Sequence, residues 1–219
     1  MKSTFFLSAI TAMFVLASCG SNSSTEASGE AAEAGATAVN YTIDPASSKV
    51  EWVAKKVTGQ HNGSVALKSG ELKAEAGAIT AGKFTLDMNS ILVLDLPAED
   101  EYNAKLLGHL KSADFFNVES APESSFEIVS VEPIAGAAAG AANYNVKGNL
   151  TIKGISKAIT FPATINVSEN NVAANAEFDV DRTEWDIKYG SGKFFQDLGD
   201  KMINDEFTVK FALNAKKAQ

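Results

Sequence analysis

Residues 144–167 read YNVKGNLTIKGISKAITFPATINV, and they decide the fold class. Tyr144, Val146, Leu150 and Ile152 alternate with Asn145, Lys147, Asn149, Thr151 and Lys153. Beyond Gly154, Ile159, Phe161, Ala163, Ile165 and Val167 alternate with Thr160, Thr164 and Asn166. Period two sends successive side chains to opposite faces of a strand, so each run has one dry and one wet face. The glycine between them is the turn of an antiparallel hairpin. The pattern continues downstream: Val172, Ala174, Ala176, Phe178 and Val180 alternate with Asn175, Glu177, Asp179 and Asp181, and Phe207, Val209, Phe211 and Leu213 with Thr208, Lys210 and Asn214. Asn170-Asn171 supplies another turn.

Upstream the alternation is less regular but predicts strands at 49–57, 64–74, 79–90 and 125–134, with turns at Gly59 and Gly63 and at Gly77. The total is about eight antiparallel strands, which either stack as two sheets or close on themselves. At that number a closed sheet has room inside for side chains or one small ligand. The longest interruption is 97–116, PAEDEYNAKLLGHLKSADFF. Pro97 opens a helix, Glu99, Asp100 and Glu101 suit its positive end, and Tyr102, Leu106, Leu107 and Leu110 form an apolar stripe. The Ala-rich 135–142 is too short for a stable helix and reads as a hairpin loop.

The N-terminus is a different kind of sequence. Lys2 followed by the apolar run from Phe5 to Val15 has the form of a secretory signal and is too short to span a bilayer. It ends at Leu16-Ala17-Ser18-Cys19, and Cys19 is the only cysteine, which excludes an internal disulfide and a multi-thiolate metal site. These four residues resemble the bacterial lipobox, which implies cleavage after residue 18, lipidation of Cys19, and a membrane anchor with more than one acyl chain. Residues 20–38 contain no large apolar side chain, and 19–38 is expected to be a flexible tether with a root-mean-square span of about 24 Å. The folded domain is then 39–217. The formal charge of −8 becomes −9 once Lys2 is removed, which argues against nucleic acid as a partner. Gly20-Ser21-Asn22-Ser23 has no Asp after the cysteine, which under general lipoprotein sorting rules points to the periplasmic side of the outer membrane.

Four motifs in order resemble the YceI-like family. They are Tyr41-Thr42-Ile43-Asp44-Pro45 with Ser48-Lys49-Val50; His109-Leu110-Lys111-Ser112-Ala113-Asp114-Phe115-Phe116; Gly148-Asn149-Leu150-Thr151-Ile152-Lys153-Gly154-Ile155-Ser156-Lys157; and Asp181-Arg182-Thr183-Glu184-Trp185. The resemblance implies an all-β, lipocalin-like closed antiparallel barrel with one short helix, and a long-chain ligand such as a polyisoprenoid, isoprenoid quinone or fatty amide. Lys55-Lys56-Val57-Thr58, Asn103-Ala104-Lys105, Asp186 and the lengthened 188–195 depart from the commoner family pattern, so the ligand class carries over but not its head group.

Inward aromatic residues are the lumen candidates: Trp52, Phe84, Phe126, Tyr144, Phe161, Phe178, Phe207 and Phe211, with Trp185 and Phe194 near the last long connection. Aromatic side chains also fill any barrel core, so spacing alone does not separate the two roles. His109 and Arg182 are the head-group candidates, the alternatives being a histidine that locks the helix to the barrel and an arginine neutralised by Asp179, Asp181, Glu184 and Asp186. His61 and His109 form no metal-binding spacing, and neither a metal nor a cofactor is expected. There is no nucleophile-elbow, phosphate-loop or dinucleotide motif, so an enzyme is not expected; what the resemblance implies is a lipid carrier or storage protein. The alternatives are a hydrolase using the acidic hairpin 179–186 on a lipid-linked substrate, and a scaffold without a lumen. Whether two barrels pair as a homodimer is left open by the residues.

Overall fold

The computed structural model describes residues 24–219, so the signal segment, Cys19 and the first tether residues lie outside the described residues. The elements are β1 (Ser24–Ala27), β2 (Val39–Ile43), β3 (Lys49–Lys56), β4 (Gly59–Glu75), β5 (Ala78–Val93), α1 (Glu101–Lys111), β6 (Glu123–Pro133), β7 (Tyr144–Ile152), β8 (Ile155–Val167), β9 (Asn171–Asp181) and β10 (Ile203–Lys217). From β3 to β10 each strand pairs antiparallel with the next, and β10 pairs back onto β3, so the sheet closes as an eight-stranded barrel. A strand of 15 to 17 residues such as β4 or β10 is long enough to need two partners in succession on one side. Both pair with β3 toward one end and with β2 toward the other, so β2 and β3 share one barrel position.

The predicted hairpin turn at Gly59 and Gly63 falls instead at Val57-Thr58, and both glycines are inside β4. Gly63 faces Trp52 across the ladder, and a Cβ there would lie 2.5 Å from the indole Cζ2 and 1.8 Å from the Leu92 carbonyl. It is a packing glycine, which leaves room for the indole against β4.

The helix is shorter than 97–116. Asp100 caps it by accepting from the Tyr102 N–H at 2.8 Å, and it ends at Ser112. Its inner face also differs from the predicted stripe. Tyr102 is exposed, whereas Asn103 is buried and donates through Nδ2 to the carbonyls of Val93 (3.2 Å) and Leu96 (2.9 Å). A buried amide is favourable here because it satisfies carbonyls that leave the ladder at the end of β5.

Over its described part, the expected free tether is docked. β1 pairs with β8, from Ser24 opposite Thr160 to Ala27 opposite Lys157. The chain then crosses the outside of the barrel. The Gly29 N–H and carbonyl bond both ends of the Asn149 amide at 2.8 and 2.7 Å, the Ala32 N–H donates to Ile128 at 2.9 Å, and Thr37 reaches Glu75. Residues without apolar bulk were expected to stay loose. They dock because β9 pairs with β8 only from Thr164 onward, which leaves backbone groups on the β8 edge for β1 to satisfy.

Candidate ligand-binding lumen

The two ends of the barrel differ. At the end carrying the 76–77, 134–143 and 168–170 connections, Tyr41, Ile43, Leu72, Ile79, Val172 and Leu213 are buried and fill the interior. Toward the other end, where α1, the 153–154 turn and the 186–202 loop lie, the interior opens into an apolar cavity of about 130 Å³. Between them stands a cluster of rings. Phe161 and Phe178 stack with centroids 4.0 Å apart and planes within 6°, Phe126 is 5.5 Å from Phe161, Phe84 is 5.4 Å from Phe126, and Phe211 meets Phe84, Phe161 and Phe178 edge-on or nearly so. The registers explain the convergence: residues directly opposite share a face, and Phe84 lies opposite Phe126, Phe178 opposite Val209, and Val209 opposite Trp52.

Seven of the ten aromatic candidates line the cavity: Trp52, Phe84, Phe126, Phe161, Phe178, Phe207 and Phe211. Three do not. Tyr144 is half-buried at the filled end, because β7 starts there, opposite Pro133 and Ala163. Trp185 is fully buried in the 3-10 turn Arg182–Trp185, its N–H satisfied by the Leu150 carbonyl at 3.1 Å. Phe194 is 49% exposed on the outer loop, with the Lys188 ammonium 5.1 Å from its ring centroid.

His109 is not on the wall either. Its ring packs edge-on against Phe115 at 4.9 Å and Tyr189 at 4.5 Å, with Nε2 3.3 Å from Asp114, so it fastens α1 to the loop over the barrel. Arg182 is on the wall and only 4% exposed, but its fork is occupied. Nε donates to the Asn204 carbonyl, Nη1 to those of Ile187 and Tyr189, Nη2 to that of Ile203, and Nη2 is 3.6 Å from Asp205. Burial pulls this guanidinium below its ordinary value while Asp205 and Asp181 push it back up, and an arginine remains charged throughout. Its ion-pair partner is therefore Asp205 and not the predicted ring of acids. Those acids have other work. Asp179 accepts from Thr208, Asp181 caps the 3-10 turn and pairs with Lys193 at 2.5 Å, Glu184 is 3.5 Å from Lys157, and Asp186 pairs with Lys188.

Part of the wall carried no signal in the sequence pattern. Leu86, Met88 and Ile91 come from the irregular second half of β5, and Ser124 and Ile187 lie outside the predicted strands. Phe115 and Phe116 stood in a quoted motif but carried no role there. Every exposed large hydrophobic side chain among the described residues, from Val57 and Leu94 to Tyr189, Phe194, Phe195 and Met202, lies at the α1 end. Among the described residues there is no group of three or more His, Cys, Asp or Glu posed for a metal, and no helix long and apolar enough to cross a membrane.

Eight antiparallel strands closed around an apolar interior, with a helix over one end, define a lipocalin-like barrel. Within that class the chain belongs to the YceI-like family, whose domain model matches residues 41–215. It is similar to the crystal structure of BcnA from Burkholderia cenocepacia, at 24% identity and a TM-score of 0.58, covering 78% of this chain and 98% of that one. A polyisoprenoid binding domain from Saccharophagus degradans, implicated in plant cell wall breakdown, matches at 15% identity and the same TM-score, covering 82% of this chain and 99% of that one. At these identities the likeness is one of fold. No curated protein matches the chain.

Proposed function

We propose that this protein holds a long-chain apolar amphiphile of the polyisoprenoid class in the barrel lumen and serves as a carrier or store in the bacterial envelope, without catalysing a reaction. The observation that carries the reading is the cavity: its wall is almost wholly aliphatic and aromatic, and its one buried cation is fully occupied by the protein. Each five-carbon unit moved from water into such a wall gains roughly 3–4 kcal/mol gross, at about 0.8 per CH₂. A cost of about 4–15 kcal/mol for association is largely met once, so a few units suffice. The exposed apolar residues at the α1 end stand where a chain leaving a bilayer would approach. The family membership and the ligand class of the Saccharophagus domain support the same reading.

In the same proposal Cys19 carries the lipid anchor and the barrel faces the periplasm from the outer membrane. With β1 docked from Ser24, only five residue steps separate the anchor from the barrel wall, a reach of at most about 18 Å. The test is native mass spectrometry of gently purified protein. A bound lipid of several hundred daltons, with affinity for added prenyl chains rising with chain length until the lumen is full, is the expected outcome. Repeated recovery of an empty barrel that takes up no prenyl chain of any length overturns the proposal.

A further inference from the structure

Among the described residues, the exposed large hydrophobic side chains come from four separate segments that meet at one end of the barrel. Val57 is in the turn between β3 and β4, Leu92 and Leu94 flank the end of β5, and Tyr102 is in the first turn of α1. The other four, Phe194 and Phe195 among them, belong to the 186–202 connection. One exposed apolar side chain is ordinary, but a rim assembled from four segments is a surface. Lysine accompanies it along the chain: Lys56 precedes Val57, Lys188 precedes Tyr189, Lys193 precedes Phe194-Phe195 and Lys201 precedes Met202, and all four lysines are exposed. Two ammonium groups sit with exposed rings, Lys105 with Tyr102 and Lys188 with Phe194, each 5.1 Å from the ring centroid.

We propose that this rim docks the barrel, α1 end down, onto a zwitterionic phospholipid surface. The proposal goes beyond the lumen reading and does not depend on what fills the cavity. Interleaved lysines decide between a bilayer and a protein partner. In a protein–protein contact they would be buried with the apolar residues, and interface cores are depleted of lysine for that reason. At a bilayer the rings enter the headgroup layer while the ammonium groups stay at the level of the phosphates. Lys188 pairs with Asp186 and Lys193 with Asp181, so part of the positive charge is spent within the protein, and the chain as a whole carries −8. That balance suits a head group of zero net charge whose phosphate accepts from lysine, and it disfavours a strongly anionic leaflet. The chain ahead of the barrel agrees. Cys19, the proposed anchor, is five residue steps before Ser24, which lies opposite Thr160. Thr160 is about 17 Å along β8 from Ile155 at the α1 end and about 23 Å from Val167 at the other. A link of at most about 18 Å therefore brings its lipid to the α1 rim more readily than to the opposite one.

The test places the full chain, as a bacterial host processes it, on phosphatidylcholine vesicles whose acyl chains carry bromine, a short-range quencher of tryptophan. Phe194→Trp and Val57→Trp put reporters on the rim, and Ala138→Trp puts one in the connection at the opposite end; wild-type emission from Trp52 and Trp185 is subtracted. All three positions are exposed, so the core is undisturbed. The rim reporters are expected to shift to the blue and lose at least half their emission, and the reporter at 138 less than a tenth. Adding Phe195→Ser to the Phe194→Trp chain should cut that quenching at least twofold. In the wild type, trypsin cleavage after Lys193 and Lys201 should slow at least fivefold on the vesicles, while cleavage after Lys217 does not. Equal quenching at both ends, no quenching on the rim, or docking that needs added anionic lipid overturns the inference, and an unquenched rim leaves that surface to a protein partner. None of these outcomes touches the lumen reading, which the prenyl titration tests separately.

Discussion

Truncating Phe161 tests whether the ring cluster is the structural divide between the filled and open halves of the barrel. Phe161 is only 2% exposed, stacks on Phe178 at 4.0 Å, and touches Phe126 and Phe211 at 5.5 and 5.8 Å. Phe161→Ala removes a ring packed on several sides, and fully buried Phe→Ala changes cost about 3–5 kcal/mol. With a urea m-value of about 2–3 kcal/mol/M for a domain of this size, the unfolding midpoint should drop by roughly 1–2.5 M. Phe207 provides the internal control, because it is half-buried and one side of its ring already faces the cavity. Phe207→Ala therefore loses fewer contacts and should cost about half as much, if loss scales with the packed share of the ring. The pair Phe161→Ala and Phe178→Ala should be non-additive by about 0.5–1.5 kcal/mol, the coupling expected of an aromatic pair in contact. Urea titrations followed by circular dichroism, with m unchanged between variants, give all three values. A midpoint shift under about 0.5 M for Phe161→Ala, or equal losses at 161 and 207, would falsify this account of the cavity floor.

Three further outcomes follow from other contacts. Asn103→Ala leaves the carbonyls of Val93 and Leu96 buried without their donor, so stability should fall by about 1–3 kcal/mol and amide exchange in α1 should rise more than elsewhere; uniform exchange across the barrel refutes the clamp. Burial tends to raise the Asp181 carboxyl, but Lys193 and the Thr183 hydroxyl and N–H outweigh it and hold the group below its ordinary value. Its stabilisation is therefore present above the ordinary Asp range near pH 4 and is lost as pH falls through the lower folded value. Thermal midpoints of Asp181→Asn should fall less steeply than wild type in that acidic window, and parallel curves refute the assignment. Asn149→Ala removes both bonds to Gly29 and should make residues 24–38 markedly more protease-sensitive, with the barrel core still resistant; unchanged cleavage shows that the strap is held elsewhere.

Period-two alternation in 144–167 and its repeats determined the strands from β7 onward, because that pattern has few physical solutions once one face must be dry. The helix was legible from Pro97 and its acidic first turn, though not its inner face, and seven of the ten aromatic candidates line the cavity. Register, which decides who stands opposite whom, lies outside a single strand's pattern. It put Tyr144 at the filled end, made Gly63 a seat for Trp52, and gave Arg182 to four carbonyls and Asp205 in place of its acidic sequence neighbours. The strap shows the limit from the other side. Composition correctly says that 24–38 cannot build a core, but it does not show the backbone on β8 and the amide of Asn149 that hold its first part, partners more than 100 residues away. Local pattern determined which residues turn inward; only the closed sheet decided which of those meet.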